Sequence, residues 1–366
     1  MRIRGVIALL ILLSLVLPVG AQNVEEPTPR AGDRDVGVVP LPVFGYSQDT
    51  GALFGGAAFI FWQPLTNVTS TTNNTLSVVG FYGTRSVVGF PMNLTLNLAD
   101  GLYRPELGFF IGRAPSDFYG IGPDSDLDDE EVYTAFTMDA EAAFLFRLRQ
   151  GLYAGPVVNW IYQDVVETES DGILETRDIT GDDRIRSAGA GARIDWDTRE
   201  PQLYPFSGHL LSVSTVGHPG GIASHDGYTV ASLDYRQFFN PWGRHVVALQ
   251  GRTDLAFGDT PLHYLPYLGG SSAMRGYQEG RYRDDVAVQG QLEYRFPIVW
   301  RFGGVAFGAA GQVAPSIGEL EASDLPLAGG LGLRFAVNTE ENINIRIDFA
   351  FTREGTGFYV NLREAF

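Results

Sequence analysis

The sequence predicts an all-β fold, a transmembrane antiparallel β-barrel of about sixteen strands. Three observations carry that expectation. From Val36 onward, segments of about ten residues alternate apolar and polar side chains, the length of a membrane-crossing strand. The chain is 45% hydrophobic and 12% aromatic with 45 Gly, yet beyond its first residues it holds no long apolar run. Strands hide hydrophobicity in this way, because successive side chains point to opposite faces. The chain also begins with the layout of an export signal.

That signal comprises Arg2 and Arg4, the aliphatic run Gly5 to Leu17, the breaker Pro18, and the small residues Val19-Gly20-Ala21. The run is shorter than the roughly 20 residues of a membrane helix, which favours a cleaved signal peptide over residues 1–21 rather than an anchor. Residues 22–35 are polar and Pro-containing and read as a short periplasmic linker; residues 36–366 form the barrel. The chain has 0 Cys, which excludes disulfides, thiolate chemistry and a lipidated cysteine. Net charge is −17, and all 26 basic residues are Arg. This acidity argues against nucleic acid and against a polybasic lipid-binding face.

The alternation is clearest near the end of the chain. Leu327, Leu331, Leu333, Phe335 and Val337 share one face, opposite Ala328, Gly330, Gly332 and Arg334. Ile343, Ile345, Ile347, Phe349 and Phe351 oppose Asn344, Arg346 and Asp348. Phe358, Val360, Leu362 and Phe366 oppose Tyr359, Asn361 and Arg363, so all four are expected on the lipid face as an outer-membrane recognition signal. Parsed throughout, strands start near Val38, Leu53, Asn74, Ser86, Leu102, Val132, Leu152, Ile185, Phe206, Gly227, His245, Asp285, Phe302, Leu327, Ile343 and Thr356. An even count places both ends of the barrel on the periplasmic side. The long acidic connectors 114–131, 165–184, 258–284 and 314–325 then lie outside the cell; 63–73 is the one long connector on the wrong side. A periplasmic β-sandwich also alternates. Export, segment length and aromatics near segment ends (Phe61, Trp62, Trp196, Trp242, Trp300) favour the barrel.

The polar face repeats one device. Arg193/Asp195, Asp234/Arg236, Arg252/Asp254, Glu293/Arg295 and Arg346/Asp348 are each spaced by two, so each pair shares one face of one strand. Facing lipid, a midplane Arg would cost ~2–4 kcal/mol, so the pairs are expected in the lumen. There they serve either as a hydrated channel lining or as a salt-bridge lattice that stiffens the wall.

Between the eleventh and twelfth strands lies Leu268-Gly269-Gly270-Ser271-Ser272-Ala273-Met274-Arg275-Gly276-Tyr277, followed by Gly280-Arg281-Tyr282-Arg283-Asp284. This resembles the Arg-Gly-Phe/Tyr loop of the BamA/TamA family, the bacterial surface antigen superfamily. Gly330 to Phe335, Ile345 to Phe349, Gly357 to Val360, Glu364 to Phe366, and Asp197-Thr198-Arg199 with Tyr204-Pro205 and Gly208 resemble the same family in order. The resemblance implies that the loop folds into the lumen and that Arg275, Gly276 and Tyr277 form a latch whose Arg meets a wall carboxylate. Two departures stand out. The family usually carries periplasmic POTRA domains, and this sequence reads as a short form without them. Its usual Phe-x-Asp-x-Gly strand here reads Phe307-Gly308-Ala309-Ala310-Gly311, with Ala309 in place of the acid. Asp348 or Glu293 is then the expected partner, with Asp348 slightly preferred.

Elsewhere, Asp124-x-Asp126-x-Asp128 lacks the Gly and terminal Glu of a Ca²⁺ loop, with Asp129 and Ala135 in those places. His209, His218, His225, His245 and His263 show no metal-ligand spacing. The Asn-x-Thr tripeptides at Asn67, Asn73 and Asn93 carry little weight in a bacterial barrel. No cofactor is implied, and no catalytic set assembles from spacing, so the chain reads as a non-enzyme. The resemblance implies assistance with protein or lipid insertion or translocation at the outer membrane, by way of a weak seam between the first and last strands. The partners are outer-membrane lipid and lipopolysaccharide, with unfolded outer-membrane proteins or periplasmic chaperones as the candidate clients. A passive channel or structural barrel is the alternative, and a barrel hydrolase a third.

Overall fold

A computed structural model describes residues 36–63, 73–170, 172–176, 179–200, 204–221, 227–321, 323–338 and 343–366. The signal peptide and linker, His225, Asn67 and nearly all of connector 63–73 lie outside them. The described chain is a closed antiparallel wall of sixteen strands. They are β1 Val36–Ser47, β2 Gly51–Trp62, β3 Asn74–Gly83, β4 in two pieces (Val88–Gly89 and Met92–Thr95), β5 Tyr103–Phe118, β6 Glu131–Arg149, β7 Leu152–Glu167 and β8 Arg184–Asp197. The second half comprises β9 Gly208–His218, β10 Tyr228–Phe239, β11 Val246–Gly258, β12 Val286–Val299, β13 Phe302–Ala314, β14 Leu327–Asn338, β15 Ile343–Thr352 and β16 Thr356–Leu362. Each begins within about two residues of the alternation-based expectation, the scatter usual at element ends. Pro91, which has no N–H to give, sits at the break in β4.

The faces follow the alternation. Leu327, Leu331, Leu333, Phe349 and Phe351 point outward and are exposed, whereas Ala328, Arg334, Arg346, Asp348 and Ala350 are enclosed. Outward exposure of large apolar side chains suits a wall solvated by lipid. Trp62 ends β2, Trp196 lies at the end of β8, and Trp242 and Trp300 occupy the turns after β10 and β12, all on one rim. That rim carries two-residue turns such as 150–151 and 300–301, the mark of the periplasmic side; connectors 119–130, 168–183, 259–285 and 315–326 are on the other. The aromatic rings therefore form an interfacial girdle at the periplasmic rim.

The five spaced-by-two pairs all meet. Arg193–Asp195 closes at 3.1 Å, Asp234–Arg236 at 2.6 Å, Arg252–Asp254 at 2.6 Å, Glu293–Arg295 at 2.8 Å and Arg346–Asp348 at 3.6 Å. Arg193 also bonds Glu106 on β5 and reaches Glu141 on β6 at 3.2 Å, and Arg104 reaches Asp195 at 3.0 Å. These cross-strand contacts are those of a lattice that stiffens the wall.

One expectation fails. Phe366 is not on the lipid face: it is 6% exposed and packs inside against Phe238, Val246 and Ala248. The alternation assumes extended backbone, but β16 stops at Leu362 and Arg363 has φ +68°. That left-handed residue turns the chain inward. Phe358 keeps the expected side, its ring 4.8 Å from that of the exposed Phe349.

Candidate functional site

The connector between β11 and β12 folds into the barrel. Leu268, Met274, Arg275, Tyr277 and Tyr282 are buried within it, and Leu268, Met274, Tyr277 and Tyr282 pack with Ala287, Ala328 and Val313 of the wall. A two-residue hairpin, Tyr267–Leu268 against Tyr282–Arg283, closes its base. At its tip Arg275 Nη1 donates to Asp348 Oδ2 at 2.7 Å, and Nη2 donates to Glu293 Oε1. The guanidinium therefore bridges β12 and β15, using both expected acids rather than one. Its carbon lies 3.6 Å from the centre of the Phe307 ring on β13. The ring adds a cation–π face to the two carboxylates, while Ala309, at the position of the family's acid, packs beside the loop's apolar cluster. All three charged groups are inaccessible to solvent, so the contacts compensate for desolvation that would otherwise be severe.

Gly276 is required where it stands. Its φ is +111°, its N–H donates to Tyr359 Oη at 2.9 Å, and a Cβ would lie 2.5 Å from Thr352 Cγ2. Gly276→Ala should therefore cost about 1–3 kcal/mol, read as an earlier loss of the folded band on heating in detergent. Tyr277 Oη donates to the Leu327 carbonyl at 3.3 Å. At the outer rim, Tyr119 Oη bonds Gln278, the Gln278 amide donates to Asp117 at 3.1 Å, and Arg281 Nε donates to Glu354 at 2.9 Å. Asp49 accepts from the Glu279 N–H at 2.9 Å. Burial, with Glu279 and Asp117 nearby, holds the Asp49 carboxyl above its usual range.

Around the latch, Asp348 Oδ1 accepts from Arg334 Nη1, Arg334 Nε donates to Glu364 at 2.7 Å, and Arg346 Nη2 donates to the Ser271 carbonyl at 2.9 Å. Four guanidinium groups (Arg275, Arg295, Arg334, Arg346) thus share three carboxylates (Glu293, Asp348, Glu364).

The second feature is a seam. β1 pairs with β2 along all twelve of its residues, from Val36↔Trp62 to Ser47↔Gly51. Among the described residues it pairs with β16 at Tyr46↔Val360 alone. Tyr46 and Phe358 rings meet at 5.6 Å beside that pair. Each cross-strand pair is worth ~0.2–1 kcal/mol, so this junction is weaker than its neighbours by several kcal/mol.

A luminal loop after the eleventh strand and a closed sixteen-strand wall describe one kind of outer-membrane protein, and the comparisons agree. A family model described as the Omp85 superfamily domain matches residues 72–365. The chain belongs to the Omp85 superfamily. It is an outer-membrane β-barrel. Among solved structures it is similar to BamA from Haemophilus ducreyi lacking POTRA domains 1–3, at 13% identity and TM-score 0.62, covering 90% of this chain and 70% of that one. It is also similar to CdiB from Acinetobacter baumannii, at 14% identity and TM-score 0.53, covering 90% and 66%. No curated protein sequence matches it.

One group in this Omp85 barrel was invisible in the sequence. Ser187 Oγ and His218 Nδ1 lie 2.8 Å apart, with Tyr228 Oη donating to Ser187 at 2.9 Å. Both members are buried and His218 stacks on Tyr228, so the contact serves as a luminal tie between β8 and β9. The Asp124–Asp128 run forms a local turn in which Asp128 N–H donates to Asp126.

Proposed function

We propose that this Omp85 barrel assists insertion or translocation of protein at the outer membrane through the β1–β16 seam. The observation that carries the reading is the single-pair junction at Tyr46↔Val360 beside a fully paired β1–β2 ladder. An unpaired strand edge facing hydrocarbon leaves backbone groups unsatisfied, each costing several kcal/mol. A client strand laid along β1 would satisfy them by adding to the sheet. Outer-membrane lipid solvates the apolar belt, and unfolded outer-membrane proteins are the clients this edge fits.

The alternative of a passive channel is disfavoured by the loop. A lumen holding Met274, Arg275 and Tyr277 at about 1% exposure leaves little room for continuous water. The test is reconstitution. Liposomes carrying the protein should fold a urea-denatured small outer-membrane barrel faster than empty liposomes do. Equal folding rates, together with a steady ion conductance from the same protein, would move the reading to the channel.

A further inference from the structure

We propose that the periplasmic half of the seam is held open by two built-in devices: Pro40 and Pro42 on β1, and a hook formed by residues 363–366. The inference concerns the seam invoked above, but it rests on backbone geometry rather than on any client.

The register at Tyr46↔Val360 fixes what would pair if β16 ran on beside β1. Val43 would face Arg363, Pro42 would face Glu364, Leu41 would face Ala365 and Pro40 would face Phe366. Prolines have no N–H to donate. The β1–β2 ladder runs unbroken through Pro40↔Ala58 and Pro42↔Gly56. In an antiparallel ladder, alternate residues point their N–H and C=O groups to opposite edges. Prolines directed at β2 would interrupt that ladder, so the missing donors lie on the edge facing β16. Between Val38 and Phe44 that edge accepts hydrogen bonds and gives none.

The opposing strand avoids this edge. Arg363 N–H still donates to the Asn344 carbonyl of β15 at 2.8 Å, but its φ of +68° then swings the chain across the lumen. Glu364 accepts from Arg334 Nε at 2.7 Å and from Asn344 Nδ2 at 3.2 Å. The Phe366 oxygen accepts from Arg295 Nη2 at 3.0 Å. The Phe366 ring lies 6.2 Å from Phe238 on β10, and the guanidinium carbon of Arg295 is 5.4 Å from its centre. The hook thus commits to β10, β12, β14 and β15 the groups that would otherwise close the seam. A donor-poor edge also lowers the cost of leaving β1 open to lipid, since two unsatisfied N–H groups are absent.

The chain has 0 Cys, so an introduced pair reports alone. Leu41→Cys with Ala365→Cys marks the unformed pairing. In the otherwise native barrel, oxidation should join them slowly. In a background of Pro40→Val, Pro42→Val, Glu364→Gln and Phe366→Ala, joining should accelerate about tenfold, the scale that a few added cross-strand pairs supply. Pro40→Val with Pro42→Val alone should give an intermediate rate, and serves if the larger variant does not fold. Equal rates in the native and substituted barrels, each shown to be heat-modifiable, would overturn the proposal. No client takes part, so a failed insertion assay leaves this result standing and this result does not decide that assay.

Discussion

Asp348→Asn is expected to destabilise the barrel more than Arg275→Ala, although the two residues are partners. Asp348 accepts from Arg275 and Arg334 and lies 3.6 Å from Arg346 Nε. Neutralising it leaves four enclosed guanidinium groups facing two carboxylates. Removing Arg275 instead leaves three facing three. Breaking a buried pair by removing one partner costs about 3–5 kcal/mol, and Asp348→Asn belongs at the upper end of that range. Arg275→Ala should fall below it, because Glu293 keeps Arg295 and Asp348 keeps Arg334. Adding Arg346→Ala to Asp348→Asn should recover part of the loss, since it removes one uncompensated charge. The transition of the folded band on heating in detergent reads all three. An Arg275→Ala barrel less stable than Asp348→Asn would show that the loop is held by bridging β12 and β15, with charge balance secondary.

Replacing residues 269–281 with a Gly-Ser linker of equal length should turn a closed barrel into a conducting one. The loop supplies the groups that fill the lumen, with Met274, Arg275 and Tyr277 enclosed against β12 to β16. The wall behind it carries paired charges, so an emptied lumen would hold water and ions. Planar bilayers should show steady, large conductance from the linker variant and brief, small events from the parent. Low conductance from both would mean that residues 363–366, folded into the lumen, suffice to block the pore.

The wall was legible because its signal is local. Every strand from β1 to β16 announces itself by alternation, and the five spaced-by-two pairs follow from a period of two. The latch was legible in part. Its residues came from the family resemblance, but choosing between Asp348 and Glu293 needed the placement of β12 and β15 around Arg275, and the outcome was both. Phe307 lay in plain view as a residue of the family pattern, but its cation–π contact with Arg275 did not. Phe366 was misread because its parity matches Phe358, Val360 and Leu362, and parity holds only while the backbone stays extended. One left-handed residue, Arg363, ended that. A weak seam between the first and last strands was expected from the resemblance, but its register at Tyr46↔Val360, like the Ser187–His218 tie, depends on how neighbouring strands align, and alternation carries no such information.

On the proposed route, the β1–β16 junction must part for the barrel to act. Tyr46→Cys with Val360→Cys places a disulfide at its single observed pair. Liposomes bearing the oxidised barrel should lose the acceleration of client folding, and a reductant should restore it to the level of the unsubstituted protein. An oxidised barrel that accelerates client folding as well as the reduced one would contradict the claim.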